Sequence, residues 1–253
     1  MKIANWNLER PRPRSPKNAS RIQHLLKTQA DIIILTETHR AINLSPEYLG
    51  VYTQPSPRKP REGEAVAAIW FRASEFEQLG TVPTADPREA VCVELMSKIG
   101  PLLVHGSIIP YHGYKGATGQ SAQWVEHKRA IAWHREDWLR LRSQFPHHHL
   151  IAAGDYNQHR DGVGTYGSHE VRNLLSMALQ DADLLCVTEE DFVANGKLTR
   201  HNIDHVCMTS ALATNLIQVD AWEGTLEGKR LSDHNGVLVS INTNLSTVQT
   251  LAS

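Results

Sequence analysis

His149-Leu150-Ile151-Ala152-Ala153-Gly154-Asp155-Tyr156-Asn157 is an apolar run too short for a core helix, and it stops at a glycine followed by an acid, an aromatic ring and an amide. Runs of this length, bounded by turn-forming residues, read as buried strands. Others follow the same rule. Strands are expected over residues 2–7, 31–36, 65–71, 90–96, 101–108, 149–154, 203–208, 217–221 and 236–241. Helical spacing is confined to residues 18–29, 121–145 and 168–179, where Ile22, Leu25 and Leu26, then Trp138, Leu139 and Leu141, then Val171, Leu174 and Leu175 recur on one face. The mixture describes a sheet-based α/β protein. Residues 64–108 hold three strand-like runs joined by turns such as Ala85-Asp86-Pro87, so antiparallel meanders are expected and a simple doubly wound parallel sheet fits poorly.

A chain of 253 residues can bury one large core, and residues 1–245 read as a single domain with a frayed polar tail over 246–253. No stretch reaches the roughly eighteen apolar residues of a membrane helix, and the start is too polar for a secretory signal; a cytoplasmic protein is expected. Cys92, Cys186 and Cys207 lie far apart in apolar runs and read as buried, reduced thiols. The formal net charge of −1 excludes a global electrostatic footprint for nucleic acid, so a polyanion site has to be local. Arg10, Arg12, Arg14, Lys17 and Arg21 form one basic cluster; Arg58, Lys59 and Arg61 form another, which reads as solvated loop charge.

Acids and amides stand where the apolar strands stop. Residues 2–7 run into Trp6-Asn7-Leu8-Glu9, 31–36 into Glu37, 149–154 into Asp155-Tyr156-Asn157, and Ser232-Asp233-His234 precedes the last strand. Alone, each is an ordinary turn former. Together they are a set of oxygen donors mounted on rigid strand ends, which is what a hard cation needs.

In order and rough spacing, Asn7 and Glu9, Glu37, Gly154-Asp155-Tyr156-Asn157, Ile203-Asp204-His205 and Ser232-Asp233-His234 resemble the motif series of the endonuclease/exonuclease/phosphatase superfamily over nearly the whole chain. The resemblance implies a four-layered sandwich, two mixed β-sheets face to face with helices outside, and a site at one end. It implies a metal-dependent hydrolase of phosphoric esters. Glu37 would be the main metal ligand, with Asn7, Glu9 and Asp233 as direct or water-mediated ligands, and magnesium the expected ion, manganese the alternative. Asp155 would orient or deprotonate the attacking water, and Asn157 would bond the phosphate or hold Asp155. His234 would contact phosphoryl oxygens or exchange a proton, its other ring nitrogen bonded to Asp204; whether Asp155 or His234 is the base stays open.

One position departs from the pattern. Ser107-Ile108-Ile109-Pro110 puts an apolar side chain where apurinic endonucleases carry Tyr, and Tyr111 and His112 follow as a replacement donor or as ordinary loop residues. Arg10, Arg12 and Arg14 follow Asn7 and Glu9 directly and are read as cations that grip flanking phosphates beside the cleft, or as a surface loop without a partner. The leading expectation is an endo- or exonuclease on DNA or RNA. A phosphatase or phosphodiesterase of a small phosphorylated molecule or lipid head group is the alternative, and a non-catalytic binding module a third. Three other features read as structural: His147-His148-His149 as a strand entry, Gly162-Val163-Gly164 as a flexible connection, and Trp124 as core with His127 and Lys128 at its margin.

Overall fold

A computed structural model describes residues 1–55 and 61–243. Arg58 and Lys59 of the second basic cluster, and the expected tail over 246–253, lie outside the described residues.

The elements in chain order are β1 (Lys2–Asn7), α1 (Lys17–Lys27), β2 (Ile32–His39), β3 (Tyr48–Tyr52), β4 (Glu64–Arg72), β5 (Glu77–Val82), β6 (Ala90–Ser97), β7 (Gly100–Ile108), α2 (Val125–Gln144), β8 (His149–Asp155), α3 (His169–Asp181), β9 (Leu184–Cys186), β10 (Asp204–Thr209), α4 (Ser210–Ala213), β11 (Leu216–Trp222), the two-residue β12 (Thr225–Leu226) and β13 (Lys229–Arg230), and β14 (Gly236–Ile241). One six-stranded sheet runs β11-β14-β1-β2-β4-β3 and the other β5-β6-β7-β8-β10-β9. Both are mixed: β1 is parallel to β2 and β7 to β8, whereas the other pairs within them are antiparallel.

The two-residue period of a strand explains the layering. In β2, Ile32 and Ile34 enter the core between the sheets while Ile33 and Leu35 pack outward with Leu25 of α1. In β8, Ile151 and Ala153 face the first sheet, whereas Leu150 and Ala152 pack with Trp138 of α2 and Leu175 of α3. A strand buried on both faces has no polar side to present, hence its continuous apolar run. The order is therefore helix, sheet, sheet, helices, the four-layered sandwich.

The ends of the helices differ from the sequence expectation. α1 begins at Lys17, and Asn18 is buried, its amide donating to the carbonyls of Arg12 (3.0 Å) and Pro13 (3.4 Å) rather than capping. α2 begins at Val125, four residues late, because Trp124 takes a left-handed φ of 66°. Ser168 does cap α3, accepting the Val171 N–H.

The pairing directions gather the site at one end. β1, β2, β7 and β8 finish there, and β4, β10 and β14, antiparallel to their neighbours, begin there. Buried Asn5 stitches the sheets close to that end, donating to the carbonyls of Gly154 (3.0 Å) and His205 (3.2 Å).

Candidate active site

Asp155, the last residue of β8, is directly opposite Asp204, the first of β10. Two carboxylates facing each other across an antiparallel pair repel, and the ring of His234 lies against both. Its Nδ1 is 2.7 Å from Asp204 Oδ2 and its Nε2 is 3.9 Å from Asp155 Oδ2. Burial opposes the imidazolium, yet Asp204 and Asp155 together push the His234 pKa up to about 10. Burial dominates at Asp155 and raises its carboxyl to about 7, against the pull of His234 and with Asp204 adding to the rise.

Asp155 is held from three directions. Asn7, at the end of β1, donates Nδ2–H to its Oδ2 at 3.0 Å; Asn157 donates its side-chain amide to the same oxygen at 3.0 Å and its backbone N–H to Oδ1 at 2.9 Å. The Asn157 amide also reaches the Ile109 carbonyl at 3.0 Å. Gly154 makes this geometry possible. Its φ is 151°, and a Cβ there would stand 1.8 Å from the Ser107 carbonyl oxygen on β7, so the glycine before Asp155 is a requirement of sheet packing.

His234 is set by a second knot. Ser232 donates Oγ–H to the Asn7 carbonyl (2.6 Å) and accepts the His234 N–H (3.1 Å), while Trp6 Nε1 donates to the His234 carbonyl (3.1 Å). Arg21 is buried and donates from Nε to the Leu231 carbonyl at 2.9 Å. That arginine, read in the sequence as part of a basic arm, is a structural prop for the loop carrying Ser232.

Glu37 ends the straight part of β2 with a φ of 44°, and Glu9, Arg10 and Asn157 are also left-handed at 54°, 48° and 49°. Strained non-glycine backbone gathered at one place is a mark of a functional site. Burial raises the Glu37 pKa, partly offset by Arg10, whose Nε is 3.3 Å from Oε2. Glu9 pairs with Arg230 at 2.6 Å, and Asp233, 3.8 Å from the same guanidinium, is about half exposed. Asn7 Oδ1 accepts the Glu9 N–H at 2.9 Å.

Of the three arginines read as phosphate grips, Arg10 lines a cleft beside Glu37, whereas Arg12 and Arg14 stand exposed on the loop before α1. Tyr111 is exposed and lines the same cleft. His112 instead leans on other rings: its Nδ1 is 3.3 Å from the Tyr166 hydroxyl and its centroid 5.5 Å from Trp124. Tyr166 was missed in the sequence. It sits close enough to Asp155 for that carboxylate to reinforce the rise that burial gives its phenol pKa, but it belongs to a glycine-rich loop without periodicity. Trp124 and His127 exchange the places expected of them. Trp124 is half-buried in the aromatic group, and His127 is fully buried, bridging the Pro110 carbonyl (2.7 Å) and Gln158 (3.2 Å).

Among the described residues, two groups hold ligand atoms within 4.8 Å of one another: Asp155, Asp204 and His234, and, on the loops beyond, Asp161, Asp191 and His201. In the first, His234 Nδ1 is bonded to Asp204 Oδ2 at 2.7 Å. In the second, His201 Nδ1 is bonded to Asp161 at 2.6 Å.

Two six-stranded sheets with acids, amides and a histidine at one end define a class, the deoxyribonuclease I-like phosphoesterases, and solved structures of that fold superimpose on the chain. The endonuclease domain of TRAS1, a telomere-specific non-LTR retrotransposon, matches with a TM-score of 0.68 at 16% identity, over 95% of this chain and 98% of its own. The 3'-5' exonuclease NExo from Neisseria meningitidis matches at 0.66 and 19%, over 96% and 100%. The human nocturnin catalytic domain matches at 0.64 and 18%, over 96% and 94%. No curated protein matches the sequence. The model of the Endonuclease/Exonuclease/phosphatase family matches residues 4–234, and the chain belongs to that family. It is a hydrolase acting on phosphoester bonds. No helix among the described residues is long and apolar enough to cross a membrane.

Proposed function

We propose that this protein is a magnesium-dependent phosphodiesterase that cuts DNA or RNA as an endo- or exonuclease. The observation that carries the reading is the His234 imidazole held between Asp204 and Asp155 at the strand ends that also carry Asn7 and Glu37. Such chemistry is positioning plus stabilisation of charge in an in-line displacement.

The oxygen-only donors around Glu37 fit a hard divalent cation. Glu37 would be its main ligand, with Asn7 Oδ1, which has a second lone pair beyond the one given to Glu9, and with Glu9 and Asp233 through water. A bound ion there would neutralise charge on the phosphoryl oxygens and lower the pKa of a coordinated water. Magnesium suits this carboxylate and amide set, and manganese is the nearest substitute.

In this reading Asp155, immobilised by three hydrogen bonds, orients the attacking water and accepts its proton. Asn157 holds Asp155 and borders the phosphate. His234, charged through its two carboxylate neighbours, donates from Nε2 to a phosphoryl oxygen, while Asp204 fixes the ring through Nδ1. Tyr111, at the cleft beside Glu37, supplies the donor that Ile108 lacks, and Arg10 is the guanidinium that lines the same cleft. NExo, a fold neighbour, has been solved as a 3' phosphatase bound to product DNA hairpin, in keeping with a nucleic-acid partner. Three buried free cysteines accord with a reducing, cytoplasmic setting.

A second reading, a phosphatase or phosphodiesterase of a small phosphorylated molecule, is favoured by the small size of the cleft beside Glu37, a pocket rather than a long groove. One assay separates the two: purified protein with magnesium or with chelator, against plasmid, single-stranded DNA, RNA, an aryl phosphodiester and inositol phosphates, with Asp155→Ala as the contamination control. Magnesium-dependent cleavage of nucleic acid, abolished by chelator, is expected. Turnover confined to monoesters would move the assignment to the second reading.

A further inference from the structure

The cleft beside Glu37 is not needed to hold an ion or to move a proton, yet it opens directly onto Glu37 and Asn157. Its walls are Ile108, Pro110, Tyr111 and Tyr114 on one side and Ala65 and Thr38 on the other. The cavity is about 160 Å³, room for one planar ring. The Tyr111 and Tyr114 rings stand 6.2 Å apart at 59°, presenting aromatic surface to an incoming ring.

Charge decides what kind of ring. Glu37 pairs with Arg10 and Glu64 with Arg61, so the cations here are already engaged by carboxylates and the cleft offers acceptor oxygens. A polar N–H edge meets acceptors. A further observation points to a ligand: Thr38 is 1% exposed, lines the cleft, and its hydroxyl is buried without a hydrogen-bond partner. A buried hydroxyl left unmade costs free energy that a ligand can recover.

We infer that this cleft is a subsite for a nucleobase attached to the scissile phosphate, held by Tyr111 and Tyr114 on its face and by Thr38 on its edge. The inference rests on the phosphodiesterase reading and deepens it. It makes the enzyme a reader of the nucleotide beside the cut.

The test uses dinucleoside phosphodiesters carrying 2-aminopurine, beside analogues in which one or the other base is replaced by hydrogen. With chelator present, titration of the full-length protein is expected to quench 2-aminopurine fluorescence saturably, and Ala65→Leu, which fills the cavity, is expected to weaken that binding roughly tenfold, in line with the value of stacking per base. With magnesium, the wild-type preference in kcat/KM for one base-bearing substrate over its abasic analogue is expected to collapse toward unity in the same variant. Tyr114→Leu, a change at the cleft wall, supplies the same reading should Ala65→Leu fail to fold by circular dichroism. Binding and preference unaltered in a folded variant would overturn the subsite. Absence of any magnesium-dependent hydrolysis together with quenching that Ala65→Leu relieves would instead overturn the catalytic reading and leave the base site standing.

Discussion

Asp204 and Asp155 stand opposite each other on neighbouring strands, and the charge of His234 is what makes that pair tolerable. Asp155→Ala and His234→Ala are therefore expected to lower kcat by roughly 10²–10⁴, the range of a positioned acid or base; near-wild-type turnover in either would refute the assignment. Asp204 acts through the ring. Asp204→Asn keeps a hydrogen-bond acceptor but removes the charge, and steady-state kinetics are expected to lose about 10–100-fold in kcat with little change in KM. An equal rise in KM would mean that Asp204 serves substrate binding. At this scale the sequence is informative for residues with fixed offsets from strand ends, such as Asn7, Glu37 and Asp155. It is silent on Tyr166 and Thr38, because what distinguishes them is a neighbour from a remote element, and on Arg21, whose role depends on a carbonyl 210 residues away.

Three strands that the sequence does not show share one cause. β3, β5 and β9 each lie at an edge of their sheet, and β5, with the sequence Glu-Gln-Leu-Gly-Thr-Val, has no buried residue. An edge strand with solvent on one side and a bulge, as between Gln78 and Gly80, carries no clean apolar alternation. Central strands are legible because both faces are buried. Their packing also makes them intolerant: Gly154→Ala would drive a Cβ into the backbone of β7, where no side chain can rotate aside. A loss of at least about 3 kcal/mol is expected in urea denaturation, in the range of severe core defects. Full stability with an alanine there would show that β7 and β8 can separate without cost. The four-layer arrangement itself came from the motif series, since alternation within a strand says which faces are apolar and not which sheet covers them.

Over the whole molecule, a seam of histidines lies beneath α2. Burial lowers the pKa of His134 and of His127 to about 4 and holds His105 well below its ordinary value. An unfolded chain protonates such rings near 6.5 while the folded chain resists until about 4. The unfolded state thus binds more protons in that window, and stability falls as pH drops through it, by on the order of 3 kcal/mol for each ring. Urea midpoints measured from pH 7 to 4 are expected to fall, and the double variant His127→Gln/His134→Gln to flatten the slope, whatever it costs at neutral pH. An unchanged slope would mean that these rings are already charged in the fold.

The pairing of β1 with β14 joins residues 2–6 to residues 236–240. During synthesis β1 therefore emerges more than 200 residues before its second neighbour exists. His234 arrives with the same late segment. A nascent chain that ends before residue 234 lacks both the imidazole and the strand that follows it, so it cannot assemble the site.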